Sequence, residues 1–303
     1  MGTGAISLEP FVGLIRTMRP KQWTKNVIVF AGLVFDGQLS QPEALLRVVV
    51  AFILLCLTAS TIYIVNDLVD IESDRQHPQK RFRPLPSGQF PIPWAVGAAI
   101  VIPVVAVGAA LLFSPPLALI YIIYLALHIL YSFVLKQIVI LDVMAITTGF
   151  VLRIAAGVVV IDVAQFSPWL YACSALLALF LAIGKRRQEL ILLADNAKSI
   201  RPAFREYNLP LLDDMLRIVT TSTLITYILY TIEAPTRRFA NTNLALITVP
   251  FVMYALFRYL YLIHVKGEGS APDEVLLQDR PLQAAILLWG LTFLFILYGV
   301  PRS

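Results

Sequence analysis

Asn66-Asp67-Leu68-Val69-Asp70-Ile71-Glu72-Ser73-Asp74-Arg75, with Lys80, Arg81 and Arg83 close behind, is the stretch whose residue types and spacing are best suited to chemistry. Asn66, Asp70 and Asp74 repeat every four residues and Asp67 stands three before Asp70, so on a helix the four side chains share one face. Carboxylates crowded on one stripe repel one another unless a cation lies between them. Hard oxygen ligands beside an amide suit Mg²⁺, which keeps several waters and bridges to substrate phosphates. Arg75, Lys80, Arg81 and Arg83 then offer donors to phosphate oxygens. The expectation is a site for a magnesium-bound diphosphate, with Asp67, Asp70 and Asp74 as metal ligands and Asn66 orienting them. The plain alternative is a solvated helix end whose carboxylates merely pair with nearby arginines. Acidic crowding beside an apolar run is expensive and speaks against it.

The elements that must position these residues are apolar. Of 303 residues 58% are hydrophobic and 14% charged, and the mean hydropathy is +0.78. Such a chain is an all-α, polytopic membrane protein. Apolar stretches at 22–38, 44–66, 91–112, 115–135, 138–162, 166–184, 210–232, 240–264 and 282–300 predict a bundle of about nine transmembrane helices. Little remains between them, so residues 1–303 are expected to form one integral-membrane domain, with a loose tail over 1–10 and motif-bearing loops at 66–90 and 185–209. The N-terminus shows no basic, apolar and small-residue leader pattern. Cys56 and Cys173 fall inside apolar spans and read as packing residues.

Lys and Arg alternate sharply from one connection to the next. Arg16, Arg19, Lys21 and Lys25 open the first span, Arg75 to Arg83 follow the second, Lys136 the fourth, Lys185 to Arg205 the sixth, and Lys266 and Arg280 the eighth. The connections near 37–43, 113–116 and 161–168 have neither residue, and 233–239 has only Arg237 and Arg238. By the positive-inside rule the motif loops face the cytoplasm across the plasma (inner) membrane. The net charge of +5 sits on that face, where it also attracts anionic lipids. Nucleic acid is not an expected partner, because the basic residues are not interleaved with aromatic platforms.

Further candidates each carry two readings. Tyr63, three residues before Asn66, points into the same cavity or anchors at the interface. Lys21 and Lys25, one helical turn apart in Arg19-Pro20-Lys21-Gln22-Trp23-Thr24-Lys25-Asn26, either snorkel or reach a phosphorylated ligand. Lys136, after Tyr131-Ser132-Phe133-Val134-Leu135, has the same ambiguity. Asp142 and Arg153 lie nearly on one face of the fifth span, separated by about 16 Å of rise, too far for a direct pair. An arginine at that depth faces a water-filled or ligand-filled interior, or else partners a buried polar helix, and Gly149, Ala155, Ala156 and Gly157 fit close packing around it. Lys185-Arg186-Arg187, with Glu189 a turn later and Asp195 beyond, is either an anion site or a topological stop. His77, His128 and His264 are scattered without metal-site spacing, and no Gly-rich phosphate loop, nucleophile elbow or Cys-x-x-Cys occurs.

Asn66-Asp67-x-x-Asp70-x-x-x-Asp74, then Lys80-Arg81-x-Arg83-Pro84 and Ser87-Gly88, resembles the first signature of the UbiA-type intramembrane prenyltransferase superfamily. The resemblance covers nearly the whole chain and implies a nine-helix bundle with its site at the cytoplasmic mouth. Most members carry a second aspartate-rich motif after the sixth helix. Here Lys185-Arg186-Arg187-x-Glu189-Leu190 stands in its place. Together with Arg19 to Asn26, Asp74-Arg75-x-His77-Pro78 and Leu152-Arg153-x-x-Ala156-Gly157, this is similar to one branch, the decaprenyl-phosphate phosphoribosyltransferases, also called 5-phosphoribose synthases. That branch implies transfer of 5-phosphoribose from phosphoribosyl diphosphate to a polyprenyl phosphate, with diphosphate released and the product feeding arabinan precursors of the cell envelope. Asp67, Asp70 and Asp74 would hold the metal on the donor diphosphate. Arg75, Lys80, Arg81 and Arg83 would neutralise it as it leaves, and Lys185, Arg186 and Arg187 would take the ribose 5-phosphate or the lipid phosphate. One metal cluster with several basic groups suits that load of phosphates. Two other functions stay open: prenyl transfer from an isoprenyl diphosphate to an aromatic or lipid acceptor, and a transporter using Asp142 and Arg153. A homo-oligomer is also left open.

Overall fold

Backbone in lipid has no water to bond, so each long apolar stretch satisfies its own N–H and C=O groups as a helix. The computed structural model describes residues 9–76, 79–161, 167–193, 202–233, 243–268, 275 and 278–299. His77-Pro78, Asp195, Arg237, Arg238 and most of the expected tail lie outside the described residues. The end of that tail is helical, as α1 spans Glu9–Met18. It is followed by α2 (Ala31–Phe35), α3 (Pro42–Val69), the short α4 (Ile71–Gln76), α5 (Ile92–Phe113) and α6 (Pro115–Phe133). Then come α7 (Leu141–Val158), α8 (Pro168–Leu193), α9 (Leu209–Glu233), α10 (Val249–Tyr261) and α11 (Arg280–Leu294). Eight helical segments among the described residues are long and apolar enough to cross a membrane.

The first expected span takes a different form. Pro20–Phe30 is an eleven-residue 3₁₀ run, continued by α2, rather than one α-helix over 22–38. At about 2.0 Å per residue the run covers about 22 Å, and α2 adds about 7.5 Å, enough to span the apolar layer. The expected all-α fold with about nine membrane-crossing segments is therefore borne out. The slimmer 3₁₀ coil lets backbone meet backbone: a Cβ on Gly157 would stand 1.8 Å from the carbonyl oxygen of Val29, so only glycine fits there.

The chain divides into two units. The first comprises Met1–Val34, Gln38–Ser132 and Leu152–Asp162; in it α3 packs along α5, α1 and the 3₁₀ run. Ile64, Leu85, Phe90 and Ala95 form a buried cluster with Leu14, Met18, Leu68 and Ile71 packed against it. The second comprises Phe35–Gly37, Phe133–Val151 and Val163–Ser303. There α8 pairs with α9 and α10 with α11, around a core that includes Phe180, Ile183, Phe204, Leu212 and Tyr259. Residues of α7 up to Val151 are grouped with the second unit and the rest with the first.

Candidate active site

In the first unit α3 stops at Val69 because Asp70 leaves helical geometry (φ −91°, ψ 6°), its N–H donating to the Asn66 carbonyl. Helix α4 restarts at Ile71. The acidic stripe expected on one continuous face is thus broken at Asp70, which is partly exposed. Asp67 and Asp74 are instead buried, at 2% and 1% exposure, and converge on one guanidinium nitrogen. Arg83 Nη1 lies 2.6 Å from Asp74 Oδ2 and 3.3 Å from Asp67 Oδ1. Lys80 Nζ stands 3.6 Å from Asp74 Oδ1.

The loop carrying Arg83 is fixed from below. Pro84 keeps Arg83 extended, and Gly88 turns the chain with φ +80°, a backbone that favours glycine. Phe90 N–H donates to the Pro84 carbonyl at 3.0 Å, and Leu85 and Phe90 are both buried at 1% exposure. The other cations of the motif look elsewhere: Arg75 pairs with Glu72 at 2.7 Å, and Arg81 lies over the Phe82 ring at 4.8 Å.

Arg19 completes the cluster and was not singled out by spacing. Its Nη2 lies 2.5 Å from Asp67 Oδ1 and its guanidinium carbon 5.1 Å from the centre of the Tyr63 ring, which places Tyr63 beside the carboxylates. An arginine directly before Pro20 at the mouth of an apolar segment was the available signal. Trp23 Nε1 donates to Ser60 Oγ at 3.1 Å. Lys21 is exposed and Lys25 partly so.

Deeper in the same unit Arg153, 7% exposed, donates from Nε to Asn26 Oδ1 at 3.0 Å and from Nη2 to Tyr124 Oη at 2.8 Å. Asn26 Nδ2 in turn donates to Cys56 Sγ at 3.3 Å. These contacts fit the reading of Arg153 as partner to a buried polar helix. His128 lies against Tyr124 with ring centres 4.3 Å apart and planes tilted by 58°.

In the second unit the basic triplet is spent on carboxylates. Arg186 Nε donates to Asp142 Oδ2 at 2.6 Å and its Nη1 pairs with Glu189. Arg187 Nε pairs with Asp213 Oδ1 at 2.6 Å while its Nη1 donates to the Ile263 carbonyl at 3.2 Å. Lys185, the most exposed of the three, stands 3.9 Å from Glu189. Tyr207 donates its hydroxyl to Asp142 Oδ1 at 2.7 Å and accepts from the Ile140 N–H at 2.8 Å. Lys136 sits just before, on the turn Leu135–Gln137, which packs against Pro202–Arg205. Tyr131 is partly buried in the first unit.

Chemically, the first unit offers two buried carboxylates under Arg19, Lys80 and Arg83. Among the described residues no group of three or more His, Cys, Asp or Glu side chains is gathered to hold a metal ion. A Mg²⁺ ion bound largely through substrate phosphates needs only one or two carboxylates, and Asp67 with Asp74 meets that demand.

A model described as the UbiA prenyltransferase family matches residues 26–189. The chain is 34% identical over 294 residues to a decaprenyl-phosphate phosphoribosyltransferase of Corynebacterium glutamicum, covering 95% of this chain and 88% of that protein. It is 32% identical over 285 residues to the protein of the same name from Mycobacterium tuberculosis, covering 91% of each. A solved UbiA homolog from Archaeoglobus fulgidus, bound to GPP and Mg²⁺, superposes with a TM-score of 0.69 at 18% identity over 95% of this chain and 100% of that one. That last likeness is one of fold.

Proposed function

The chain is an integral-membrane transferase that belongs to the UbiA prenyltransferase family, and from that premise we propose that it moves 5-phosphoribose from phosphoribosyl diphosphate onto a polyprenyl phosphate. The observation that carries this reading is the crown of Arg19, Lys80 and Arg83 over Asp67 and Asp74. Such a site suits a polyanion that arrives with its metal ion. The Lys185-Arg186-Arg187 segment, where most of the superfamily places more aspartates, and the similarity to named phosphoribosyltransferases support it.

Asp67 and Asp74, with Asp70 at the rim, would hold Mg²⁺, which when bound offsets charge on the departing diphosphate. Arg83, Lys80 and Arg19 donate to the same oxygens as negative charge builds on them. A phosphate oxygen of the lipid bonds to the anomeric carbon while that carbon's bond to the diphosphate oxygen breaks and the electron pair leaves with diphosphate. The lipid phosphate is already largely ionised near neutrality, its second pKa being about 6, so no strong general base is needed. Alignment of the two substrates and electrostatics dominate the barrier. In this proposal residues 1–303 act as one membrane domain, with the site open to the cytoplasm at the plasma membrane.

Purified protein with Mg²⁺ and polyprenyl phosphate is offered either phosphoribosyl diphosphate or a prenyl diphosphate. Diphosphate release with the former alone is expected, and chelation abolishes it. Asp67→Asn and Asp70→Asn each lower turnover by about 10²-fold or more, the scale of losing a preorganised charge contact. Release with prenyl diphosphate alone gives the prenyl-transfer reading, and near-normal turnover of both variants removes the metal assignment.

A further inference from the structure

Arg19 is one of only two non-glycine residues with positive φ among the described residues, the other being Ile140. Its dihedrals, φ 53° and ψ 63°, are left-handed, a conformation an L-residue holds only when its surroundings impose it. They do so here. On one side Met18 C=O lies 3.2 Å from Ser60 Oγ, which shares its single proton between that carbonyl and the nearer Cys56 C=O at 2.7 Å. On the other, Pro20 opens the 3₁₀ run, and Trp23 Nε1 donates to the same Ser60 oxygen at 3.1 Å. One α3 side chain, Ser60, thus meets the chain on both sides of the strained residue, whose own side chain reaches Asp67.

That contact is not required for charge balance. Arg83 already reaches Asp67 Oδ1, the same atom that Arg19 contacts, and also Asp74. Lys80 adds a further cation beside Asp74. Arg19 is therefore a second guanidinium on an oxygen that has one. Its side chain is 31% exposed where that of Asp67 is 3% exposed, so it covers the carboxylate from the solvent side. Its planar group rests over the Tyr63 ring, a contact that orients a guanidinium without consuming its donors.

We propose that Arg19 is an exchangeable cover for Asp67. In the donor-free site it holds Asp67 Oδ1, where a metal ion would bind; when the metal-bound donor arrives it yields that oxygen and, still resting on Tyr63, donates to the donor's phosphate oxygens. This rests on the phosphoribosyl-donor reading for the identity of the anion, but the exchange at Asp67 stands on geometry alone. A metal ion that binds only the uncovered state is weakened by the fraction of sites that are uncovered. Removing the cover thus strengthens metal binding while it weakens donor binding, two effects of opposite sign that an arginine serving only to pack the fold would not produce.

The test uses the full chain in detergent. Mn²⁺ binding is titrated without any donor, followed by the paramagnetic signal of free ion, in wild type, Arg19→Gly and Arg19→Lys. Glycine tolerates the left-handed backbone, so Arg19→Gly keeps the fold and lacks the guanidinium. It is expected to bind Mn²⁺ about fivefold more tightly or better, and its KM for phosphoribosyl diphosphate is expected to rise about tenfold or more, the scale of losing a hydrogen bond to a charged group. Arg19→Lys, which keeps charge without the planar stack, restores wild-type Mn²⁺ affinity and only part of the donor affinity. Unchanged or weaker Mn²⁺ binding in folded Arg19→Gly, or in Arg19→Asn, which also tolerates the left-handed backbone, should the glycine variant not fold, overturns the exchange. If wild type turns over no phosphoribosyl diphosphate, the parent reading fails, while the Mn²⁺ comparison still decides the role of Arg19 at Asp67.

Discussion

Asp142 and Arg186 are held in the interior of the second unit at side-chain exposures of 0% and 2%, and each is tolerable there only because of the other. Asp142 takes Arg186 on one oxygen and Tyr207 on the other. Burial first, and then the neighbouring Asp142 carboxylate, push the Tyr207 phenol above its ordinary pKa, so it remains a donor throughout the physiological range. Truncating one partner leaves a buried charge uncompensated, so Asp142→Leu is expected to lower stability by about 3–5 kcal/mol, whereas Asp142→Leu with Arg186→Met recovers most of it. Thermal unfolding in detergent, read for both variants side by side, checks this. The sequence located Asp142 as a charge inside an apolar span and Arg186 in a basic triplet at a helix end, but not that they belong to each other. They stand 44 residues apart, and linear spacing has no term for such a pairing. The carboxylates Asp67 and Asp74 were legible for the opposite reason, being near neighbours along one helix direction; the break at Asp70 was not, because a single residue leaving helical geometry depends on what the next turn packs against.

At the level of elements, α10 and α11 are joined through one side chain. Asp279 caps α11 by accepting from the Leu282 N–H at 2.8 Å, and receives Arg258 of α10 on both oxygens, at 3.1 and 2.8 Å. The bond from Arg258 chiefly, then the cap, hold the Asp279 carboxyl below the usual carboxylate range. A depressed folded-state pKa contributes stability above the unfolded value, near 3.9, that is lost as pH falls through the folded value. Asp279→Asn, which keeps a capping oxygen but not the charge paired with Arg258, should therefore lose about 0.5 kcal/mol at neutral pH and show a shallower acid limb than wild type below about pH 4 when melting temperature is followed against pH. Long apolar helices such as α3 and α5 were readable within a few residues because hydropathy and length alone dictate them. The segment Pro20–Phe30 was not: Trp23, Asn26 and Val29 recur every third residue, and each meets a neighbour, at Ser60, Arg153 and Gly157. That period belongs to a 3₁₀ coil, and hydropathy averaged over a window cannot tell three residues per turn from 3.6.

For the molecule as a whole, the alternation of basic and uncharged connections makes a statement about sidedness. Ser87 and Ser40 are both exposed, one in the Arg75-to-Arg83 connection's wake and one in a connection without Lys or Arg. Single cysteines at these positions, over a background of buried Cys56 and Cys173, should react with a membrane-impermeant maleimide from opposite sides: Ser87→Cys in inside-out vesicles, Ser40→Cys in intact cells. Labelling of both from one side would contradict the cytoplasmic placement of the site. Outward-facing apolar residues such as Leu112, Val104 and Ile100, at 92%, 66% and 61% exposure, need no partner beyond lipid. What the sequence conveyed best was this solvent preference, since every residue votes on it, whereas the geometry of a few cations around two carboxylates rests on single side chains.

The eleven residues from Pro20 to Phe30 also act as a spacer. They reach about 5 Å further along their axis than the same number of residues would with α pitch, with Arg19 at one end and Val29 against Gly157 at the other. That extra reach is what carries one segment from its close contact with α7 at Gly157 to the arginine beside the carboxylates.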